Sequence, residues 1–332
     1  AAIAIVPIAA LIVHATEQVA SRTGEAIGGL LNATFGNAPE LIICLVALKA
    51  GYLEMVRAAL IGGILANLLL AMGVSFFLGG LRYHQQNFNA NAARLYVSTM
   101  LLAVISMAIP SAFSRAFAPD GVVRDEQMLN IGIAVTLLLA YGLYLLFSLK
   151  THPEAFASAV STEVKSEDHG HGGKAWSLQR AIGSLIGASL LAAWMSEILV
   201  GAAEGTGKAL GMSEVFIGVV FLAVIGGAAE SGSAITVARR NRMDLAIGIG
   251  LGSSIQIALF IAPVLVLASY FISPQPLELS FSKAELGALG FGVLVGAFVI
   301  TDGQSNWFKG VQLITVYAFI AMMFYFMPDI VG

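Results

Sequence analysis

Two glutamates carry the chemistry open to this sequence. Glu40 closes the stretch Gly36-Asn37-Ala38-Pro39-Glu40, and Glu230 closes Gly226-Gly227-Ala228-Ala229-Glu230, each deep inside an otherwise apolar segment. A charge at such depth costs at least a few kcal/mol by insertion scales, which makes each glutamate a functional-site candidate by default. Within a helix, residues three and four apart are neighbours, so Gly36, Asn37 and Glu40 are expected on one face. Pro39 removes a backbone donor and disturbs the carbonyls one turn before it. A carboxylate, an amide and freed carbonyls make an all-oxygen environment. Hard cations such as calcium want this, taking several oxygens at about 2.3–2.6 Å, whereas copper or zinc would call for His or Cys. Two carboxylates balance one divalent ion. Without it, two close carboxylates in low dielectric cannot both stay ionised, so proton and cation compete for the same oxygens.

Other polar residues flank this pair. Glu17 in HATE and Glu197 in WMSE precede the two motifs in the same order and are candidates for proton relay or gating, against the plain reading of carboxylates in the headgroup layer. Asn67, Ser253, Ser254 and Gln256 lie in two glycine-rich segments, where they could add neutral oxygen ligands or serve as interhelical glue. Asp302, in TDGQSNW, reads as a capping or interfacial residue. His14 reads as a packed polar residue, because no second histidine follows at helical spacing. His169 and His171, beside Glu167 and Asp168, fit a solvated acidic loop, with cation or pH sensing as the sharper alternative.

The elements that must position these groups are membrane helices. Of 332 residues, 58% are hydrophobic and 11% charged, against about 25% charged in a soluble domain. The mean hydropathy of +0.86 agrees. The 36 glycines suit closely packed membrane helices. A net charge of −3 offers no basic face for nucleic acid, and the single cysteine, Cys44, excludes an internal disulfide and a thiolate metal site. Cys44 is expected as apolar filler. Neither a signal peptide nor a prosthetic group is indicated.

Spans of about 20 apolar residues cross a bilayer. Ten candidate helices run near 1–22, 28–48, 55–79, 94–115 and 127–149, then near 178–204, 212–238, 243–271, 283–302 and 309–327. The abrupt apolar start suggests a further N-terminal helix preceding the chain. The expected organisation is a first five-helix repeat over 1–149, an acidic, His-containing linker over 150–177, and a second five-helix repeat over 178–332. Of the 17 Lys and Arg, eleven fall on the side that holds this linker and six on the other; the excess marks the linker side as cytosolic. An odd number of helices per half inverts one half relative to the other. In such repeats the substrate site lies near the midplane on interrupted helices.

The stretches Leu30 to Ile42, Ser213 to Glu230, Ser233 to Ser269 and Asp302 to Trp307 resemble the calcium/proton exchanger family of the cation/calcium exchanger superfamily, and the resemblance covers nearly the whole chain. It implies ten core helices in two inverted halves, and calcium and protons as transported substrates. It makes Glu40 and Glu230 the cation and proton carboxylates, assisted by Asn37 and the backbone around Gly36, Gly226 and Gly227. The chain departs from the family's second motif: Gly227 stands where Asn is usual, and Ser231 where His is usual. The expectation is a secondary antiporter, not an enzyme. Sodium-coupled or broader cation exchange on the same fold is the alternative, and a membrane-embedded hydrolase would need a nucleophile that the sequence does not supply. A prokaryotic inner membrane is favoured over a vacuolar one, and a homo-oligomer is left open.

Overall fold

The computed structural model describes residues 2–23, 31, 34–117, 123–156 and 176–327. The chain is mostly helical. Helix α1 is Ala2–Thr23 and α2 is Ala38–Lys49. Helix α3 runs Leu53–Tyr83, α4 is Ala90–Phe117 and α5 is Val123–Leu146. In the second part, α6 is Leu178–Leu210, α7 is Glu214–Gly226, α8 is Ala228–Ala238 and α9 is Met243–Ile272. Helices α10, Lys283–Ile300, and α11, Trp307–Phe326, complete it.

Among the described residues, eight helices are long and apolar enough to span a bilayer, and the α7–α8 pair, bent by 57° at its break, makes up to nine. This differs from the expected ten because the segment expected at 28–48 is described only from Leu31 and Thr34 onward, with α2 as its regular part. The linker residues 157–175, with Glu167, Asp168, His169 and His171, lie outside the described residues.

Polar caps start several of the helices. Ser177 accepts from Arg180 N, Ser213 from Phe216 N and Asn306 from Lys309 N. Ser282 and Glu285 form a reciprocal capping box, which satisfies amides that a helix start leaves open. Gly211 ends α6 at φ 66°, a left-handed position that glycine takes without a Cβ penalty.

Helices α3 and α9 form the centre. In α3, 83% of the apolar window is buried inside the protein, against 17% in α5 at the perimeter. Perimeter side chains such as Leu102, Leu139, Leu143, Phe291, Phe298 and Phe319 are exposed. A surface of this kind is stable against hydrocarbon and not against water. The protein is therefore a multi-pass integral membrane protein. Close backbone approach needs glycine where α3 crosses α7: a Cβ on Gly62 would collide with the Val219 backbone.

Two features depart from an all-helical reading. A two-stranded antiparallel ribbon joins β1, Gln85–Asn87, to β2, Gln304–Asn306, with Gln86 opposite Ser305. The segment before α10 is extended and buries Leu277, Leu279 and Phe281 at alternating positions. Their amides are met by side chains: Ser269 Oγ at 2.8 Å, Asn130 Oδ1 at 3.0 Å and Ser111 Oγ at 2.7 Å. A buried loop requires such partners.

Candidate cation site

The two motifs fall where helices are interrupted. Gly36 and Asn37 form a turn, so the face expected for Gly36, Asn37 and Glu40 in one continuous helix is corrected: Asn37 stands at the N-cap position of α2 with its side chain turned into the interior, and Glu40 lies in the first turn. Pro39 sits at the start of α2, the one place in a helix where its missing N–H leaves no bond unmade. In the second motif Gly227 is the break between α7 and α8, and Glu230 lies in the first turn of α8. A third irregularity is a π-helical turn, Ala66–Ala71, in the middle of α3, which carries Asn67. A fourth, Ile257–Ile261, follows Gln256 in α9. Such turns re-aim side chains within an otherwise regular helix.

These interruptions bring Asn37, Glu40, Asn67, Glu230, Ser253 and Gln256 together in the interior. Asn37, Glu40, Asn67, Ser253 and Gln256 are buried, and Glu230 is half-buried. Ser253 is the hub. Its Oγ donates to Glu230 Oε2 and accepts from Asn67 Nδ2 at 2.9 Å. As placed, Asn37 turns its oxygen toward the Glu230 carboxylate, acceptor against acceptor. With the amide turned over, its nitrogen donates to Glu230 Oε2 at 2.8 Å, to Glu230 Oε1 at 3.1 Å and to Ser253 Oγ at 2.6 Å. Turning Gln256 as well lets its Nε2, otherwise a buried donor without a partner, meet Asn37 Oδ1 at 2.8 Å. Amide orientation is assigned from such networks, and this assignment leaves every donor in the cluster used. Ser253 then donates once and accepts twice, the full capacity of a hydroxyl.

Glu40 has different company. Its Oε2 is buried and makes no hydrogen bond with the described residues. A Cβ placed on Gly226 would lie 3.1 Å from Glu40 Cγ, so glycine there lets the second half pack directly on Glu40. Glu40 also borders a cavity of about 20 Å³, walled by Ile43, Cys44, Leu60 and Ile257. That is close to the space of a single water. Among the described residues no three of His, Cys, Asp or Glu converge as a metal group.

Other candidates lie elsewhere. Ser254 donates to Gly250 O at 3.0 Å and Ile64 O at 3.3 Å, so it joins α9 to α3 and faces away from the cluster. Glu17 is exposed on α1, with its Oε2 3.8 Å from His14 Nδ1. Glu197 is exposed and lines a separate cavity of about 530 Å³ with Lys49, Tyr52 and Trp194. Neither is brought to the central cluster. His14 packs edge-on against Trp176, Cys44 is a free, buried filler, and Asp302 pairs with Lys309 at 2.6 Å. The sequence named every member of the cluster. The hub role of Ser253 had no sequence signal, since nothing in the spacing separates it from Ser254.

A family model described as sodium/calcium exchanger protein matches residues 1–150 and 180–326. The chain is 41% identical over 343 residues to a Ca(2+)/H(+) antiporter of Aphanothece halophytica, covering 99% of this chain and 89% of that protein. It is 41% identical over 326 residues to the Ca(2+)/H(+) antiporter ChaA of Bacillus subtilis, covering 97% and 90% respectively. The solved structure of native YfkE superposes with a TM-score of 0.82 at 37% identity, over 98% of this chain and 91% of that one. These matches span both motifs and the α3 and α9 helices between which the cluster is built, and the chain belongs to the sodium/calcium exchanger protein family.

Proposed function

We propose that this protein is a secondary antiporter that exchanges calcium for protons by alternating access, with Glu40 and Glu230 as the shared carboxylates. The observation that carries the reading is the meeting of two interrupted helices from distant parts of the sequence, each bringing one carboxylate into the interior. The amide of Asn37 reaches across to Glu230, and Gly226 packs on Glu40. The full names of the bacterial relatives support calcium and protons as the exchanged ions.

In this reading the chain is two inverted five-helix repeats, 1–149 and 178–332, joined by the linker 150–177. Helix α2 belongs to the tenth span. Calcium bound between the carboxylates neutralises both. When it leaves, the carboxylates take up protons, because two adjacent negative charges away from water cannot both persist. At least two protons then balance one calcium. Asn37, Gln256 and Ser253 hold Glu230 in place, Asn67 adds a neutral oxygen, and the backbone at Gly36, Gly226 and Gly227 makes the breaks. Glu17 on α1 and Glu197 on α6 serve the approaches to the site. The reading assigns no prosthetic group, and a bacterial cytoplasmic membrane is the setting.

The experiment uses the purified protein in sodium-free vesicles with an acidic interior. Calcium uptake driven by the proton gradient alone is expected. Uptake that appears only when a sodium gradient is supplied would replace proton coupling by sodium coupling.

A further inference from the structure

Helix α6 presents one exposed face along much of its length. Gly183, Gly187, Leu190, Trp194, Glu197 and Gly201 follow one another at alternating spacings of four and three, which places them on a single side. Leu190 and Trp194 are exposed, and a Cβ on Gly183, Gly187 or Gly201 would meet nothing within 4 Å. This stripe runs into the cavity of about 530 Å³ between α6 and the C-terminal end of α2, where Lys49 and Tyr52 share the wall with Trp194 and Glu197. The volume falls within the ~300–1,000 Å³ of small-molecule pockets. Lys49 and Glu197 are both exposed, and among the described residues neither forms an ion pair or hydrogen bond. Two opposite charges thus line one cavity without meeting. At about 1.5 Å per residue, Glu197 stands ~25 Å along α6 from Arg180, which lies at the capped start of the helix. A hydrocarbon core is about 30 Å thick, so Glu197 and its cavity belong to the opposite interface. Trp and Tyr suit that level because their rings are amphipathic.

We infer that this cavity binds the headgroup of a zwitterionic phospholipid, with Lys49 on the phosphate, Glu197 on the ammonium and an acyl chain laid along the stripe 183–194. Charge balance selects this occupant. A mouth built to gather calcium would carry net negative charge, and Lys49 cancels that of Glu197. An anionic headgroup would suit Lys49 but be repelled by Glu197. The inference extends the part given to Glu197 from the approach itself to what occupies it, and it stands whether or not Glu40 and Glu230 carry calcium.

The test is native mass spectrometry of the purified, delipidated protein in detergent, with phosphatidylethanolamine, phosphatidylcholine or phosphatidylglycerol of the same acyl chains added. One molecule of either zwitterionic lipid should be retained about fivefold more strongly than phosphatidylglycerol, the scale of a single partly exposed ion pair. Lys49→Gln should weaken retention of all three. Glu197→Gln should abolish the difference between the zwitterionic lipids and phosphatidylglycerol. Glu17→Gln, an exposed carboxylate on α1, should change nothing. All three variants replace exposed side chains, and unchanged size-exclusion elution checks their folding. Equal retention of the three lipids by the original protein, a preference for phosphatidylglycerol, or a preference that survives in Glu197→Gln would overturn the proposal. Displacement of the lipid by calcium would make the cavity a cation mouth instead, and a dimer that forms in place of the lipid-bound protein would assign the face to a second copy of the chain; either result also overturns it.

Discussion

Replacing Ser253 by alanine tests the network that organises the site. The Oγ of Ser253 donates to the Glu230 carboxylate and accepts from Asn67 Nδ2 at 2.9 Å and from Asn37. Alanine removes a hydrogen bond to a charged group, worth about 1.5–3 kcal/mol in protein interiors. Asn37 still reaches Glu230 with the same nitrogen at 2.8 Å, so the carboxylate keeps one donor and the loss should fall at the lower end. Asn67 loses its anchor at the same time. The calcium concentration that half-saturates transport should then rise about tenfold, since each 1.4 kcal/mol is a factor of ten in affinity. The maximum rate in saturating calcium should change far less. Calcium-dependent proton efflux from proteoliposomes, titrated over calcium, reads both quantities. The neighbouring Ser254→Ala is the control, because among the described residues Ser254 bonds to the Gly250 and Ile64 carbonyls and not to the cluster. If Ser254→Ala shifts half-saturation as much as Ser253→Ala, or if neither shifts it, the hub assignment is refuted.

Two further outcomes follow from the scaffold. Glu278 lies in the extended segment before α10; its burial, and then the nearby charge of Glu126, raise its carboxyl above the usual 4.5, against the opposing influence of Arg57. A carboxyl raised on folding contributes stability below the unfolded value and loses it as pH rises through the folded one. Glu278→Gln should therefore melt higher than the original protein at pH 7, and the two should converge at pH 4 in a thermal melt in detergent; a lower melting point at pH 7 would contradict this. At the crossing of α3 and α7, Gly62→Val should cost at least the ~1–3 kcal/mol of an overpacked contact, because the Cβ meets the Val219 backbone and not a movable side chain. The expected readout is loss of the monodisperse size-exclusion peak, and an unaltered peak and melting point would show that the helices can part there.

Much of this arrangement is legible in the sequence because burying charge in a membrane is so costly. Glu40 and Glu230 stand out from apolar surroundings, and their glycine-bearing motifs mark the helix breaks at Gly36-Asn37 and Gly227. What the sequence hides is who meets whom. Hydrophobic periodicity says nothing about which helix packs against which, so the convergence of Asn67 with Ser253, and of Gln256 with Asn37, appears only in the fold. The π-helical turn at Ala66–Ala71 has no reliable residue signature, so the re-aiming of Asn67 is equally invisible. Pro39 misled by type: a proline inside an apolar run suggests a kinked helix, whereas here it begins one. The β-ribbon and the alternating burial of Leu277, Leu279 and Phe281 escape a reading tuned to spans of membrane length. The Gly227 departure reads in sequence as a lost amide; in the structure glycine stands at the α7–α8 break, where a Cβ would lie 3.3 Å from Asn67 Oδ1 and 3.6 Å from Glu40 Oε1.

The central claim is that calcium and protons use the same two carboxylates in turn. The most direct measurement records calcium uptake and proton efflux simultaneously in the same proteoliposomes for the original protein, Glu40→Gln and Glu230→Gln. The account predicts that the two fluxes rise together in the original protein, with at least two protons leaving per calcium, and that both vanish together in each variant, which still elutes as a folded protein. Calcium uptake that persists in either variant, or proton movement that continues without calcium exchange through the intact pair, would contradict it.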